Sequence, residues 1–333
     1  MKDQKGNAIQ CYAAGYTLPV TQDLLRSLES IQSRKEIEDI HDLRVASRRI
    51  RTVLLIFGNQ FPRKKVKNWM EAVRIITRRY GATRDMDVQI AFLEELMKDN
   101  PDRKIHTGLH RIHLRLLQKR SNKDEMVGKH THALLNDENI LDMHAIMQEI
   151  STSYTAEELP QELYELAFYT LQTTLDQFLS YEIFIHQVDK IHELHLMRIA
   201  AKKMRYTMEV FYALYKGKID PYLAIMKDVQ QQLGEIRDCD VWMEFIPVFI
   251  EKEKKRTQQY YGRKDAMKRL MPGIEFLELN RRHERERLYK RFVKNWQSWR
   301  NQAVWLHLRE LILQATLSRE SDYDNNLQSS AER

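Results

Sequence analysis

His41, Arg44, Arg48 and Arg51 form a spaced set of basic side chains, and the same spacing returns as His195, Arg198, Lys202 and Arg205. On a helix of 3.6 residues per turn each set falls on one face, within about 80° of arc and along roughly 15 Å. The opposite face collects Ala46, Ile50, Val53, Leu54 and Phe57 in the first set, and Ala200, Met204, Thr207, Met208 and Phe211 in the second. The basic face is expected to carry no acid that pairs with these cations along the helix, which would be unusual for a merely solvated surface. Ranked cations suit a ligand with repeating negative charge. Arginine grips phosphate oxygens with a planar fork and lysine supplies a point charge. A phosphate chain matches this row, because every unit brings charge and several acceptors at a short repeat. Tyr206 lies beside the second set.

The following helix adds Lys67, Arg74 and Arg78 on one face, whereas in the second copy only Lys227 is equivalent to Arg74 and Gln231 replaces Arg78. The first copy is therefore expected to contribute more charge. A basic run is usually just a solvated helix face. The return of the same four positions favours a binding surface instead, and the polar angle of His41 and His195 fits no core role.

These side chains require helices, arranged twice. After each basic set a second block follows: Gly81, Arg84, Asp85, Asp87 and Val88, then Gly234, Arg237, Asp238, Asp240 and Val241. Two blocks recurring in the same order at nearly the same separation indicate an internal duplication. Helical periodicity runs over 18–33, 37–58, 64–80, 86–98 and 103–135, then over 160–186, 188–215, 220–236, 239–257 and 274–316. This predicts an all-α protein of two tandem helical-bundle repeats related by pseudo-two-fold symmetry, with equivalent helices meeting at one shared surface. The boundaries expected are a polar tail over 1–16, a first repeat over 17–135, a connector over 136–159, a second repeat over 160–317 and a polar tail over 318–333.

Charge is segregated. The formal net charge is only +7, yet Leu43–Arg84 holds twelve Lys/Arg against the single acid Glu71. His130–Asp189 holds eleven acids and no Lys or Arg. Such separation concentrates positive potential on part of the molecule and favours an anionic partner. No signal peptide is read at the N-terminus, and no apolar run approaches the length that spans a bilayer. Two cysteines, Cys11 and Cys239, make neither a disulfide framework nor a metal cluster, so a cytoplasmic protein without a membrane partner is expected.

Other constellations are weaker. Asp85/Asp87 and Asp238/Asp240 could be metal carboxylates, but the favoured reading makes Asp85 and Asp238 N-caps of new helices after Gly81 and Gly234, with their neighbours holding Arg84 and Arg237. His106 and His110 have a spacing that can bind zinc, but no third ligand follows at a matching interval, so no metal is assigned. No glycine-rich phosphate loop, nucleophile elbow or Cys–His signature is found, which points away from an enzyme and leaves no cofactor to assign. The late aromatics Phe292, Trp296, Trp299 and Trp305 read as core.

The paired motifs, His-x-x-Arg-x-x-x-[Lys/Arg]-x-x-Arg followed by Gly-x-x-Arg-Asp-x-Asp-Val, resemble those of the conserved histidine α-helical domain (CHAD) family. The resemblance covers most of the chain from about Leu18. It implies a duplicated helical bundle with a basic surface at the junction of the copies, and inorganic polyphosphate held there by His41, Arg44, Arg48, Arg51, His195, Arg198, Lys202 and Arg205. The chain has no room for the triphosphate-handling domain fused to some relatives, so a stand-alone member is expected. The alternatives kept open are a nucleic-acid backbone binder, or a metal-dependent phosphohydrolase.

Overall fold

The computed structural model describes residues 7–33, 37–152, 159–262 and 265–331. Among these the chain forms eleven α-helices and no strand. The first half contains α1 (Ala8–Ser33), α2 (Ile37–Phe57), α3 (Arg63–Asp99), α4 (Arg103–Ser121), α5 (Asp124–Leu135) and α6 (Glu138–Thr152). The second contains α7 (Gln161–Leu179), α8 (Ile191–Val210), α9 (Asp220–Tyr261), α10 (Met271–Asn301) and α11 (Val304–Ala331). Neighbours follow the same order in both halves, α1 to α4 and α7 to α10, each helix packing on the next.

The apolar face expected for α2 is buried as anticipated: Ala46, Ile50, Val53, Leu54 and Phe57 all lie in the core. In α8, Met204, Thr207, Met208 and Phe211 are buried in the same way. Phe57 and Phe211 then meet edge-on, with ring centroids 5.8 Å apart, and so tie the halves together. Phe292, Trp296, Trp299 and Trp305 are core residues.

Several boundaries need correction. α3 and α9 run unbroken through Gly81 and Gly234, so Asp85 and Asp238 are mid-helix residues and cap nothing. A helix-interior glycine costs only about 1 kcal/mol. Burial of Val73, Ile76, Tyr80 and Thr83, then of Leu93 and Leu96, keeps one face of α3 in the core across that point. The expected long helices 103–135 and 274–316 are each two helices. The first breaks at Asn122–Lys123, and the second at Ala303, whose φ of 51° is left-handed.

The polar tail expected over 1–16 is corrected likewise. α1 starts at Ala8, buries Cys11, Ala13 and Ala14, and lets the Tyr12 hydroxyl donate to the Val210 carbonyl at 2.8 Å. Small residues carried that burial, and they do not register as an apolar stripe. Residues 1–6 and 332–333 lie outside the described residues, while the backbone of α11 continues to Ala331. The connector 136–159 is largely α6, which packs on α1 with Ile140, Met143 and Met147 buried. Residues 153–158 of that stretch lie outside the described residues.

A second junction joins the halves at α4 and α10. A Cβ on Gly273 would sit 2.1 Å from the Ile105 carbonyl oxygen, and one on Gly108 would sit 2.3 Å from that of Leu270. The two backbones therefore touch where these glycines cross. Nearby, Glu253 of α9 is almost wholly buried and accepts from Arg111 and Arg115 of α4 at 2.9–3.0 Å. Around this crossing, Leu109, Ile112 and Leu116 pack with Trp242, Ile246, Phe249, Ile274 and Leu277 into a separate core.

Candidate functional site

The two junctions bracket a cavity of about 990 Å³. Its walls come from α2, α3, α8, α9 and α10, so both halves contribute. Eight of the residues expected from sequence line it: His41, Arg44, Arg48, His195, Arg198, Lys202, Arg205 and Tyr206. At one end Arg48 donates to the Tyr206 hydroxyl at 3.1 Å, and Arg49 meets Glu209 at 3.3 Å, each pair spanning α2 and α8. At the other end Phe92 of α3 and Trp242 of α9 lie 5.6 Å apart between ring centroids.

Among the described residues eleven Lys/Arg and four acids face this space. The guanidinium Nε atoms of Arg44, Arg198 and Arg205 are buried and find no hydrogen-bond partner among the described residues, and the same holds for Nε of Arg51 just outside the lining. His195 Nδ1 is in the same state. A buried donor without a partner costs about 1–3 kcal/mol, so a cluster of them in a cavity wall is an arrangement suited to an acceptor-rich ligand.

The electrostatics agree with the geometry. Burial, reinforced by the charges of Arg198, Arg48, Arg44 and Arg205, pulls the Lys202 ammonium down to about 7. Burial followed by the guanidinium charges of Arg84 and Arg48 lowers His41, and burial followed by Arg237 and Arg198 lowers His195. Asp238, set in the same wall, is raised by burial against the opposing pull of Arg198 and Lys202. Like charges are being held together at a cost, and an anion between them would relieve it.

The paired aspartates have different duties from those expected. Asp85 faces the cavity and pairs with Arg44 at 3.4 Å, while Asp87 is buried and takes Arg120 of α4 at 2.6 Å. Asp238 likewise lines the cavity, and buried Asp240 holds Arg285 of α10. The first carboxylate of each pair thus sets local charge, and the second locks the next helix in place. Arg84 and Arg237 are held by neither. Arg84 reaches Glu38 at 3.9 Å, and Arg237 grips Glu244 at 2.7 and 3.1 Å. Removing a partner from a buried pair leaves an uncompensated charge, so Asp240→Ala is expected to lower stability by about 3–5 kcal/mol. Chemical denaturation of the variant against the wild type measures this directly.

A model of the CHAD domain matches residues 19–247. The chain belongs to the CHAD family. The CHAD domain from the plant Ricinus communis, known from a crystal structure, is 16% identical and superposes with a TM-score of 0.59, over 85% of this chain and 88% of that one. PptA from Streptomyces chartreusis is 15% identical with a TM-score of 0.57, over 86% of this chain and 99% of that one. These likenesses show the all-α CHAD fold. No curated protein matches the sequence significantly.

Not every expected residue reaches the cavity of this CHAD chain. Lys67, Arg74, Arg78 and Lys227 are exposed and do not line it. On α3 the cavity is enclosed only alongside residues 84–92, and the earlier turns lie past its edge. Arg78 there pairs with Glu71, while Arg51 feels the charges of Arg74 and Arg48, extending the basic stripe outward from the cavity. The cation face is also not free of acids, since Glu209 sits one turn from Arg205 at 3.7 Å.

Sequence reasoning missed α10. Its Arg281, Arg287 and Arg291 line the cavity, with Arg281 lying 4.1 Å over the Phe92 ring. Arg287 is paired with Glu284, and Arg291 with Glu235 of α9. The spacing of 281, 284, 288 and 291 on one helix face was the available signal, masked by the many other charges on that helix.

His106 and His110 stack on α4, ring centroids 5.8 Å apart, and are not part of the cavity lining. Among the described residues no group of three or more His, Cys, Asp or Glu side chains gathers where a metal ion could be held. Among them, too, no helix is long and apolar enough to cross a membrane.

Proposed function

We propose that the inter-half cavity binds inorganic polyphosphate by electrostatic capture and forked hydrogen bonding, with no chemistry performed on the chain. The observation that carries this reading is the ring of arginines and Lys202 from both halves around one concave space, several with a guanidinium Nε that finds no partner among the described residues. A linear polyanion can meet Arg44 and Arg48 on one wall and Arg198 and Arg205 on the other. Membership of the CHAD family supports the same ligand.

Nucleic acid is the less favoured ligand. Bases need exposed aromatic faces, and here Tyr206 and Trp242 are buried while Phe92 is covered by Arg281. A phosphohydrolase would need a nucleophile or a metal centre. Cys239, in the cavity wall, has its thiol pushed up to about 11 by burial, so little thiolate exists at neutral pH. A cytoplasmic binding or targeting module is the role this composition suits.

Proton linkage tests the reading. A polyanion favours charged Lys202 and so raises its pKa in the complex. Since the free group titrates near 7, binding at pH 8 is expected to take up protons, and affinity to fall as pH rises from 7 to 9. His41 and His195, both lowered from the ordinary imidazole value, act in the same direction at the acid end, strengthening binding further as they become protonated. Calorimetry in buffers of different ionisation enthalpy counts the protons. No proton uptake at pH 8 would place the ligand away from Lys202. Affinity should also fall steeply with salt, because each neutralised phosphate releases counterions.

A further inference from the structure

Among the described residues Lys202 is the one lysine in the cavity lining, where the permanently charged cations are arginines. It makes no hydrogen bond or ion pair among the described residues and is half-buried, facing the cavity. The charged groups around it are Arg44 and Arg48 of α2, Arg198 and Arg205 of α8 and Asp238 of α9. Guanidinium groups are poor nucleophiles, but an amine is a good one when it is unprotonated. Its neighbours are therefore phosphate-holding groups that cannot themselves react.

We infer that Lys202 is a covalent acylation site for acyl phosphates, with the cavity arginines holding the phosphate while the amine takes the acyl group. The inference rests on the anion-binding reading of the cavity, though not on polyphosphate as the ligand. The Nζ lone pair attacks the acyl carbon and a C–N bond forms. The bond from that carbon to the bridging oxygen breaks, and inorganic phosphate departs with the electron pair. The proton lost by the amine ends on the released phosphate. No oxidant, metal or further reactant is needed.

Two features favour the step. In the free cavity the Lys202 ammonium is pulled down to about 7, and the small dianion of an acyl phosphate offsets that pull less than a long polyanion does. The arginines also hold the acyl phosphate beside the amine, making the attack effectively intramolecular. Acylation would erase a cation from the centre of the site. The cavity would then carry a chemical record of acyl-phosphate exposure, read as weakened polyanion binding.

The adjacent residue supplies an internal reference. Lys203 is exposed, points away from the cavity lining and donates to Gln177 at 2.8 Å. The full chain is incubated with acetyl phosphate at pH 7.5, with and without long-chain polyphosphate, and acetylation at each lysine is followed by peptide mass spectrometry. Lys202 is expected to react at least about tenfold faster than Lys203. Acetic anhydride, which lacks the phosphate handle, should narrow that preference.

Lys203 reacting as fast as Lys202 would overturn the inference, even where polyphosphate binds as proposed. Rapid acetylation of Lys202 that polyphosphate does not suppress would support it, and would count against polyphosphate as the cavity's ligand. Pretreatment with acetyl phosphate should weaken polyphosphate binding by the wild type but leave that of Lys202→Arg unmoved. Equal weakening of both would place the relevant acylation elsewhere and refute the assignment.

Discussion

Reversing Arg44 and Arg198 together to Glu is expected to weaken polyphosphate binding about a thousand-fold or more at physiological salt. Each guanidinium sits at the matching position of its half, carries a buried Nε without a partner and faces the same cavity. A charge-assisted hydrogen bond contributes about 1.5–3 kcal/mol, and reversal adds repulsion, so two sites together reach roughly 4–6 kcal/mol. Stability should not suffer in proportion. Each new carboxylate would face Arg48 and Lys202, which offsets the repulsion it meets from Asp85 beside position 44 and Asp238 beside position 198. Titration of the double variant, with thermal melting alongside, checks both halves of the statement. The neutral pair Arg44→Gln with Arg198→Gln should lose affinity to a smaller degree. Binding within a few-fold of wild type in the charge-reversed protein would remove the cavity as the site.

Gly273→Val is expected to have the largest effect on the fold. The space a Cβ would need at that position is held by the Ile105 carbonyl oxygen at 2.1 Å and the Gly108 Cα at 2.8 Å. Both are backbone, so no side chain can swing aside, and α4 must separate from α10. Overpacking usually costs about 1–3 kcal/mol, and a branched side chain against two backbones belongs at or above the top of that range. The melting temperature should drop by several degrees. Polyphosphate affinity should fall too, because α10 carries Arg281, Arg287 and Arg291 into the cavity. Gly273→Ala should show the same signs in milder form. An unchanged melting temperature in the Val variant would mean that the α4–α10 crossing is not as close as described.

The legible parts were those with a period. The basic face of α2 and α8 and the apolar face behind it could be read because cations and core residues fall on opposite sides of a 3.6-residue repeat, twice. Eight cavity residues followed from that alone. The misread parts depended on context. Gly81 and Gly234 look like helix stops, but tertiary burial on both sides carries α3 and α9 through them. Asp85 and Asp238 look like caps for the same reason. Arg281 and Arg291 join the site only because α10 crosses α4 at a pair of glycines, and nothing local in sequence announces which helix a glycine will touch. Lys67, Arg74 and Arg78 show the converse: a correct face on the correct helix, but on turns that the second half does not cover.

The difference between the two aspartates of each motif was also beyond the sequence. Asp85 and Asp87 are two residues apart on a helix and so point in quite different directions. One faces solvent in the cavity and the other enters the core to meet Arg120. That assignment needs the position of α4, which the motif does not encode.

The proposed function stands on the cavity selecting a phosphate chain over other polyanions. Calorimetric titration of the purified protein with long-chain polyphosphate at physiological salt, repeated with total RNA at equal phosphate concentration, tests it most directly. Sub-micromolar binding that RNA does not displace is the predicted result. Failure to bind, or displacement by RNA at that ratio, would contradict it.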